Sequence, residues 1–166
     1  MNTAPITIIP TTGTQPAGQH RYLAPGWPTR HIMNPLMALL TRAGLSLRGS
    51  RVLHVQGRRT GDWQAVPVNP LTIDGRQYLV APRGQTQWVR NLRAAGRGRL
   101  QLGRRTTDFT ATEMLDADAK APLLQSYLRI WRSEVGTFFA GVDADSLDAV
   151  RAVADGYPVF VLDTGD

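Results

Sequence analysis

Cysteine is absent from the chain, which excludes a disulfide framework, thiolate metal ligation and cysteine as a nucleophile or redox centre. Long apolar runs are absent too. No stretch approaches the roughly 20 apolar residues that span a bilayer, and the N-terminus Met1-Asn2-Thr3-Ala4-Pro5 lacks the positive charge and apolar core of a signal peptide. A cytoplasmic protein is expected. At 166 residues the chain can bury one full hydrophobic core but not two ordinary ones, so a single domain is expected.

Lysine is nearly missing, one residue against 18 arginines, a preference that GC-rich coding bias explains. Coding bias does not explain where the acids are missing. Between residues 21 and 105, 15 arginines face only Asp62 and Asp74, a balance of +13; beyond, three arginines and Lys120 face 11 acids, a balance of −7. The basic part should face an anion: nucleic acid, an acidic membrane surface or a phosphorylated cofactor. Nucleic acid is not expected, because the aromatic residues are not interleaved with the arginines as a stacking platform requires.

Familiar catalytic constellations are absent as well. His20, His31 and His54 lack metal-ligand spacing, so no metal is expected. No Ser-His-Asp set, nucleophile elbow, GxGxxG or GxxxxGK[ST] occurs. An enzyme with this sequence must take its difficult step from a cofactor.

What the chain does contain is a series of short patterned segments. Residues 1–20, rich in Thr, Pro and Gly, read as a flexible arm, with one domain over 21–166. Residues 35–47 carry the apolar run Leu36-Met37-Ala38-Leu39-Leu40 with Leu45 and Leu47, a short helix whose flanking Arg42 and Arg48 admit peripheral membrane contact. From Arg51 the period becomes two. Val52-Leu53-His54-Val55 and Gln64-Ala65-Val66-Pro67-Val68 flank a glycine-bearing turn, and Asp74-Gly75 joins Leu71-Thr72-Ile73 to Gln77-Tyr78-Leu79-Val80. Residues 86–95 have helical spacing, with Thr86 as the expected cap. Two further strands, 99–103 and 107–114, are paired at Gly103-Arg104. Helical intervals return over 122–132 and 145–154, and residues 157–162 close as a strand whose Pro158 suggests a sheet edge. About six antiparallel strands with helices at the ends predict a small β-barrel, mainly β with flanking helices.

Two loops stand out. Gly57-Arg58-Arg59-Thr60-Gly61 offers two guanidiniums, a hydroxyl and backbone amides in a confined turn, the groups that hold phosphate. Ala81-Pro82-Arg83-Gly84-Gln85-Thr86 leaves a strand and enters a helix, whose N-terminus attracts negative charge. Trp88 and Asn91 lie one turn apart on that helix. Pro67, inside a strand, deletes a ladder donor, which a ligand or bulge at that place would excuse.

In this order, Gly57-Arg58-Arg59-Thr60-Gly61, Val66-Pro67-Val68, Asp74-Gly75, Val80-Ala81-Pro82-Arg83-Gly84 and Trp88-Val89-Arg90-Asn91-Leu92-Arg93-Ala94 resemble the deazaflavin-dependent nitroreductase family. The resemblance covers residues 35 to 115 and implies the FMN-binding split β-barrel of the pyridoxamine phosphate oxidase type. It implies a reductase that passes hydride from reduced coenzyme F420 to a small organic acceptor: a quinone, a nitro compound or an activated alkene. By matching position, Arg58, Arg59, Thr60 and Gly61 correspond to phosphate and tail contacts, and Pro67 and Val68 to backbone lining the ring. Ala81, Pro82, Arg83, Gly84 and Gln85 correspond to the loop over the deazaflavin, supported by Trp88 and Asn91. Tyr127, with Ser126 and Trp131, falls where the family builds the substrate side, and is the candidate proton donor. Many members carry Lys in the basic turn, His-Pro before the Trp and Asn-Pro after the helix; here stand Arg59, Thr86-Gln87 and Ala95-Gly96. FMN in the same fold, and a barrel that only sequesters a cofactor, tetrapyrrole or lipid, are the alternatives. The resemblance also admits a homodimer.

Overall fold

The computed structural model describes residues 49–139 and 141–165; the arm over 1–20, the helix expected at 35–47, His20 and His31 lie outside them. Seven strands form one antiparallel sheet: β1 (Arg51–Gln56), β2 (Trp63–Val68), β3 (Pro70–Ile73), β4 (Arg76–Val80), β5 (Arg97–Leu102), β6 (Arg105–Met114) and β7 (Val159–Asp163). Their spatial order is β2-β1-β5-β6-β7-β4-β3. The two edge strands are therefore β2 and β3, consecutive in the chain and separated by Asn69 alone. Laid flat, seven strands span about 29 Å, whereas the residues either side of Asn69 lie within about 7.6 Å along the backbone. The sheet must curl until its edges meet, and the result is a split β-barrel.

The hairpins follow from their turn residues. Asp74 and Gly75 adopt φ of 49° and 77°, the left-handed pair that a two-residue hairpin requires, and Ile73 pairs with Arg76 across them. In β2, Pro67 sits on an edge strand, where a missing donor costs no second ladder. Its place in the sheet explains that proline without a ligand or a bulge. The reading of Pro158 is corrected: β7 lies between β6 and β4, deep in the sheet. Pro158 precedes the strand, so its missing N–H costs the ladder nothing, and its carbonyl accepts from the Ala81 amide at 2.9 Å.

Among the described residues three α-helices accompany the sheet: α1 (Gln87–Ala95), α2 (Ala117–Val135) and α3 (Leu147–Val153). Alternation along the strands divides the apolar residues into two cores. Inside the barrel, Leu53, Val55, Leu79, Leu100, Phe109 and Phe160 pack together, closed at one end by Val89 and Leu92 of α1. Outside it, Leu71, Val80 and Val159 meet Leu124, Tyr127 and Trp131 of α2 and Val150 of α3. Each large side chain buried this way contributes about 1.5–3 kcal/mol relative to exposure. Helix α2 begins five residues before the expected start, because Asp116 caps it by accepting from the amides of Asp118 and Ala119. Pro122 is carried inside it, and Trp131 leaves helical geometry at φ −109°, ψ 21°.

Candidate functional site

The basic turn is a six-residue loop between β1 and β2. It closes on itself through Gly57 N donating to Asp62 O and Gly61 N donating to Gly57 O, both at 2.8 Å. Gly61 has φ +75°, a conformation that favours glycine. Gly57 is buried, and a Cβ there would stand 3.1 Å from both Thr60 Oγ1 and Gln64 Nε2. The Thr60 hydroxyl accepts from the Asp62 amide at 3.3 Å.

Helix α1 lies against this turn. Its Asn91 is only 2% exposed, and a buried amide must find partners. Asn91 Oδ1 accepts from the Arg58 guanidinium at 3.0 Å and from the Arg58 backbone amide at 3.3 Å, while Nδ2 donates to Gln64 Oε1 at 3.0 Å. Arg58 Nη1 also donates to Gln87 Oε1 at 2.8 Å. The turn, the start of β2 and the first two turns of α1 are thus tied together by four side chains. Trp88 points into the barrel core, its ring tilted against Phe160 with centroids 6.0 Å apart.

The second loop enters α1 from β4. Gly84, buried and at φ +70°, donates to Ala81 O at 3.0 Å, and Thr86 N donates to Gly84 O at 2.8 Å. Arg83 lies 5.4 Å above the Phe138 ring. Thr86 occupies the N-cap position, but its side chain makes no capping hydrogen bond, which corrects the expected cap. Its carbonyl starts the helical ladder by accepting from Arg90 N, and its Oγ1 is buried without a partner. The first amides of a helix lack intrahelical acceptors; with no acid in the first turn of α1, that helix end suits an anionic ligand.

The structure therefore brings the turn of Arg58, Arg59, Thr60 and Gly61 together with Asn91 and Gln87 of α1, leaves Trp88 of the same helix facing the barrel core, and carries the loop of Ala81, Pro82, Arg83, Gly84 and Gln85 to that helix. Pro67 and Val68 continue the strand that leaves the turn. Tyr127 stands apart from this group. It is 1% exposed, within the core between α2 and the sheet; burial first, then the Glu134 charge, raise its pKa against the lowering effect of a hydrogen bond with Asn69. Gln64 and Gln87 were not distinguished in the sequence, since neutral polar residues carry no spacing signal. Two grooves, of about 1050 Å³ along Thr72, Gln77 and Arg105 and about 830 Å³ along Trp63, Arg97 and Arg99, include no residue of the turn, the second loop or α1. Polar convergence, not groove size, marks the site.

Residues 29–143, well over half the chain, match the family model of the F420H(2)-dependent quinone reductase. The chain belongs to this family. No curated protein matches it. Among solved structures it is similar to the conserved hypothetical protein Rv2991 from Mycobacterium tuberculosis, at 15% identity over 77% of this chain and 79% of that one, with a TM-score of 0.53. It is similar to protein Atu2129, of unknown function, from Agrobacterium tumefaciens, at 15% identity over 87% and 58%, with a TM-score of 0.53. It also matches an F420-H2 dependent reductase, FDR-A, at 18% identity over 70% and 95%, with a TM-score of 0.48. At such identities the likeness is one of fold. The family assignment makes F420 the cofactor and an F420H(2)-dependent reductase the general class.

The residues present fit an anionic cofactor. Arg59 is exposed and makes no hydrogen bond or ion pair with a described residue, so its guanidinium is free for a phosphate or carboxylate. Arg58 is committed to Gln87 and Asn91. No described helix is long and apolar enough to cross a membrane.

Proposed function

We propose that this chain transfers hydride from reduced F420 to a small organic acceptor of the quinone, nitro or activated-alkene type, at a site walled by the basic turn, α1 and the loop from β4. The observation that carries the reading is the Arg58–Asn91 lock, which holds a doubly basic turn beside an uncapped helix N-terminus. In this reading Arg59 and Thr60 take the phosphate-bearing tail, with Arg58 shaping the turn around them. Gly61 gives the turn its left-handed corner, and the Pro67-Val68 backbone lines the ring. Ala81, Pro82, Arg83, Gly84 and Gln85 cover the ring's other side, while Trp88 and Asn91 hold α1 in place beneath.

When bound, the deazaflavin supplies the hydride, and the protein supplies orientation and shelter from water. Such chemistry needs no ionisable catalyst, which suits a site whose charged groups are arginines apart from the exposed Asp62 of the turn. Protonation of the reduced acceptor is assigned to water rather than to Tyr127, because burial makes that phenol a weaker acid. The test is a fluorescence titration with F420, with FMN in parallel, followed by oxidation of F420H2 with a quinone, a nitroaromatic and an activated alkene. Saturable binding of F420 alone and turnover of at least one acceptor are expected. No fluorescence change at about tens of micromolar F420, corresponding to less than ~6 kcal/mol of binding, would sink the reading.

A further inference from the structure

One ion pair at this end of the barrel is not used by the proposed chemistry. Arg93, in the last turn of α1, meets Glu113 of β6 fork to fork: Nε donates to Oε2 and Nη2 to Oε1, both at 2.5 Å. Its remaining Nη1 donates to Gln85 Oε1. Every nitrogen of the guanidinium is committed, two to the strand and one to the loop. The hydrogen bonds that Arg93 donates to Glu113, foremost, raise the Arg93 pKa, in spite of partial burial.

Val89 and Arg93, one turn apart, lie on a different side of α1 from Gln87 and Asn91, which face the basic turn, and Gln85 stands just before the helix. The helix thus has one side fastened to the turn and another to β6. The loop from β4 is consequently anchored twice. At its start, Ala81 N donates to Pro158 O just before β7; at its end, Gln85 is held through Arg93 to β6, the strand on the far side of β7 from β4. Pro82, Arg83 and Gly84 lie between these anchors, Arg83 over the Phe138 ring and Gly84 bonded to Ala81. Carboxylate–guanidinium forks are geometrically specific, and a loop pinned at both ends loses the small displacements that spoil an oriented reaction.

We infer that Glu113 is a positioning residue: acting through Arg93 and Gln85, it holds the 81–86 loop at the height required for hydride transfer over the cofactor. The inference rests on the reading of that loop as the cover of the deazaflavin. Its first test needs no cofactor. Amide exchange of the segment 81–86 is followed by mass spectrometry in the cofactor-free protein, its Glu113→Gln variant, which preserves volume, and its Gln85→Ala variant. The Gly84 and Thr86 amides, both hydrogen-bonded within the loop, should exchange about fivefold faster or more in each variant, with α2 unchanged.

The second test measures kcat with saturating F420H2 and the F420 dissociation constant. Each variant should lose about tenfold in kcat, the double variant no more than either alone, and in Glu113→Gln, which leaves the covering loop's own residues intact, F420 affinity should stay within about twofold of wild type. Wild-type exchange rates in Glu113→Gln would overturn the inference, as would losses that multiply in the double variant. A wild-type protein that fails to bind F420 overturns the proposed function, and the exchange result then decides the loop tie by itself.

Discussion

Arg58 and Asn91 are 33 residues apart in the chain, yet Asn91 Oδ1 accepts from both the backbone amide and the guanidinium of Arg58, at 3.3 and 3.0 Å. One buried carbonyl oxygen thereby fixes where the basic turn stands and which way its first arginine points. Asn91→Leu removes that acceptor and strands Gln64 and the Arg58 amide. A loss of about 1–3 kcal/mol is expected, read as a lower Tm, together with weaker F420 binding. Asn91→Asp keeps the acceptor and loses only the donor to Gln64, so it should fall between wild type and Asn91→Leu in both melting and titration. Equal F420 affinity in all three proteins would refute the role of the lock.

Arg59 gives the opposite pattern. It is exposed and has no partner among the described residues, so Arg59→Gln should leave the Tm within about 1–2 °C, as surface changes do. F420 affinity should fall about tenfold, and its dependence on salt should become shallower, since one screened contact is gone. Titration at low and at moderate ionic strength checks both statements.

Gly98 is required for a reason unrelated to its φ. A Cβ there would lie 2.7 Å from Phe109 Cζ and 2.9 Å from the His54 carbonyl oxygen. The first neighbour is a core ring and the second is backbone of β1, so neither can give way cheaply. Gly98→Ala should cost about 1–3 kcal/mol by overpacking, lowering the Tm by several degrees. A Tm equal to wild type would show that β5 shifts freely, which would also question the inner core described above.

These expectations depend on features that were unequally visible in the sequence. The two hairpins at Asp74-Gly75 and Gly103-Arg104 are legible because turn chemistry is local, and so is the helix that carries Trp88 and Asn91, because helical spacing is local; that Asn91 meets Arg58 while Trp88 turns to Phe160 is decided by long-range packing. Pro158 misled for the same reason. A proline reports only on its own N–H, whereas the interior place of β7 is set by pairings of Val159 with Val80 and with Met114, from distant parts of the chain. Thr86 was expected to cap and does not, since N-cap preference says nothing of where a hydroxyl turns once the loop is tied to Ala81. Glu113 and Arg93 gave no signal at all: their meeting requires that α1 lie over β6, a consequence of the closed barrel.

Tyr127 separates a core role from a catalytic one. Its pKa is raised above the ordinary 10.0 of a phenol, chiefly by burial, so the folded state holds the phenolic proton more tightly than the unfolded state does. Stability from this group is therefore complete below about pH 10 and declines as pH rises from there toward the raised folded value. Tyr127→Phe removes the titrating group. Its Tm should fall less steeply than that of wild type between about pH 9 and pH 11, while near pH 7 it should show only the modest loss of one buried hydroxyl and its hydrogen bond, about 1 kcal/mol. A core phenol also predicts nearly unchanged kcat at neutral pH in Tyr127→Phe. Loss of a hundredfold or more, within the range that general acids contribute, would instead place this hydroxyl at the reacting acceptor and require α2 to open during turnover.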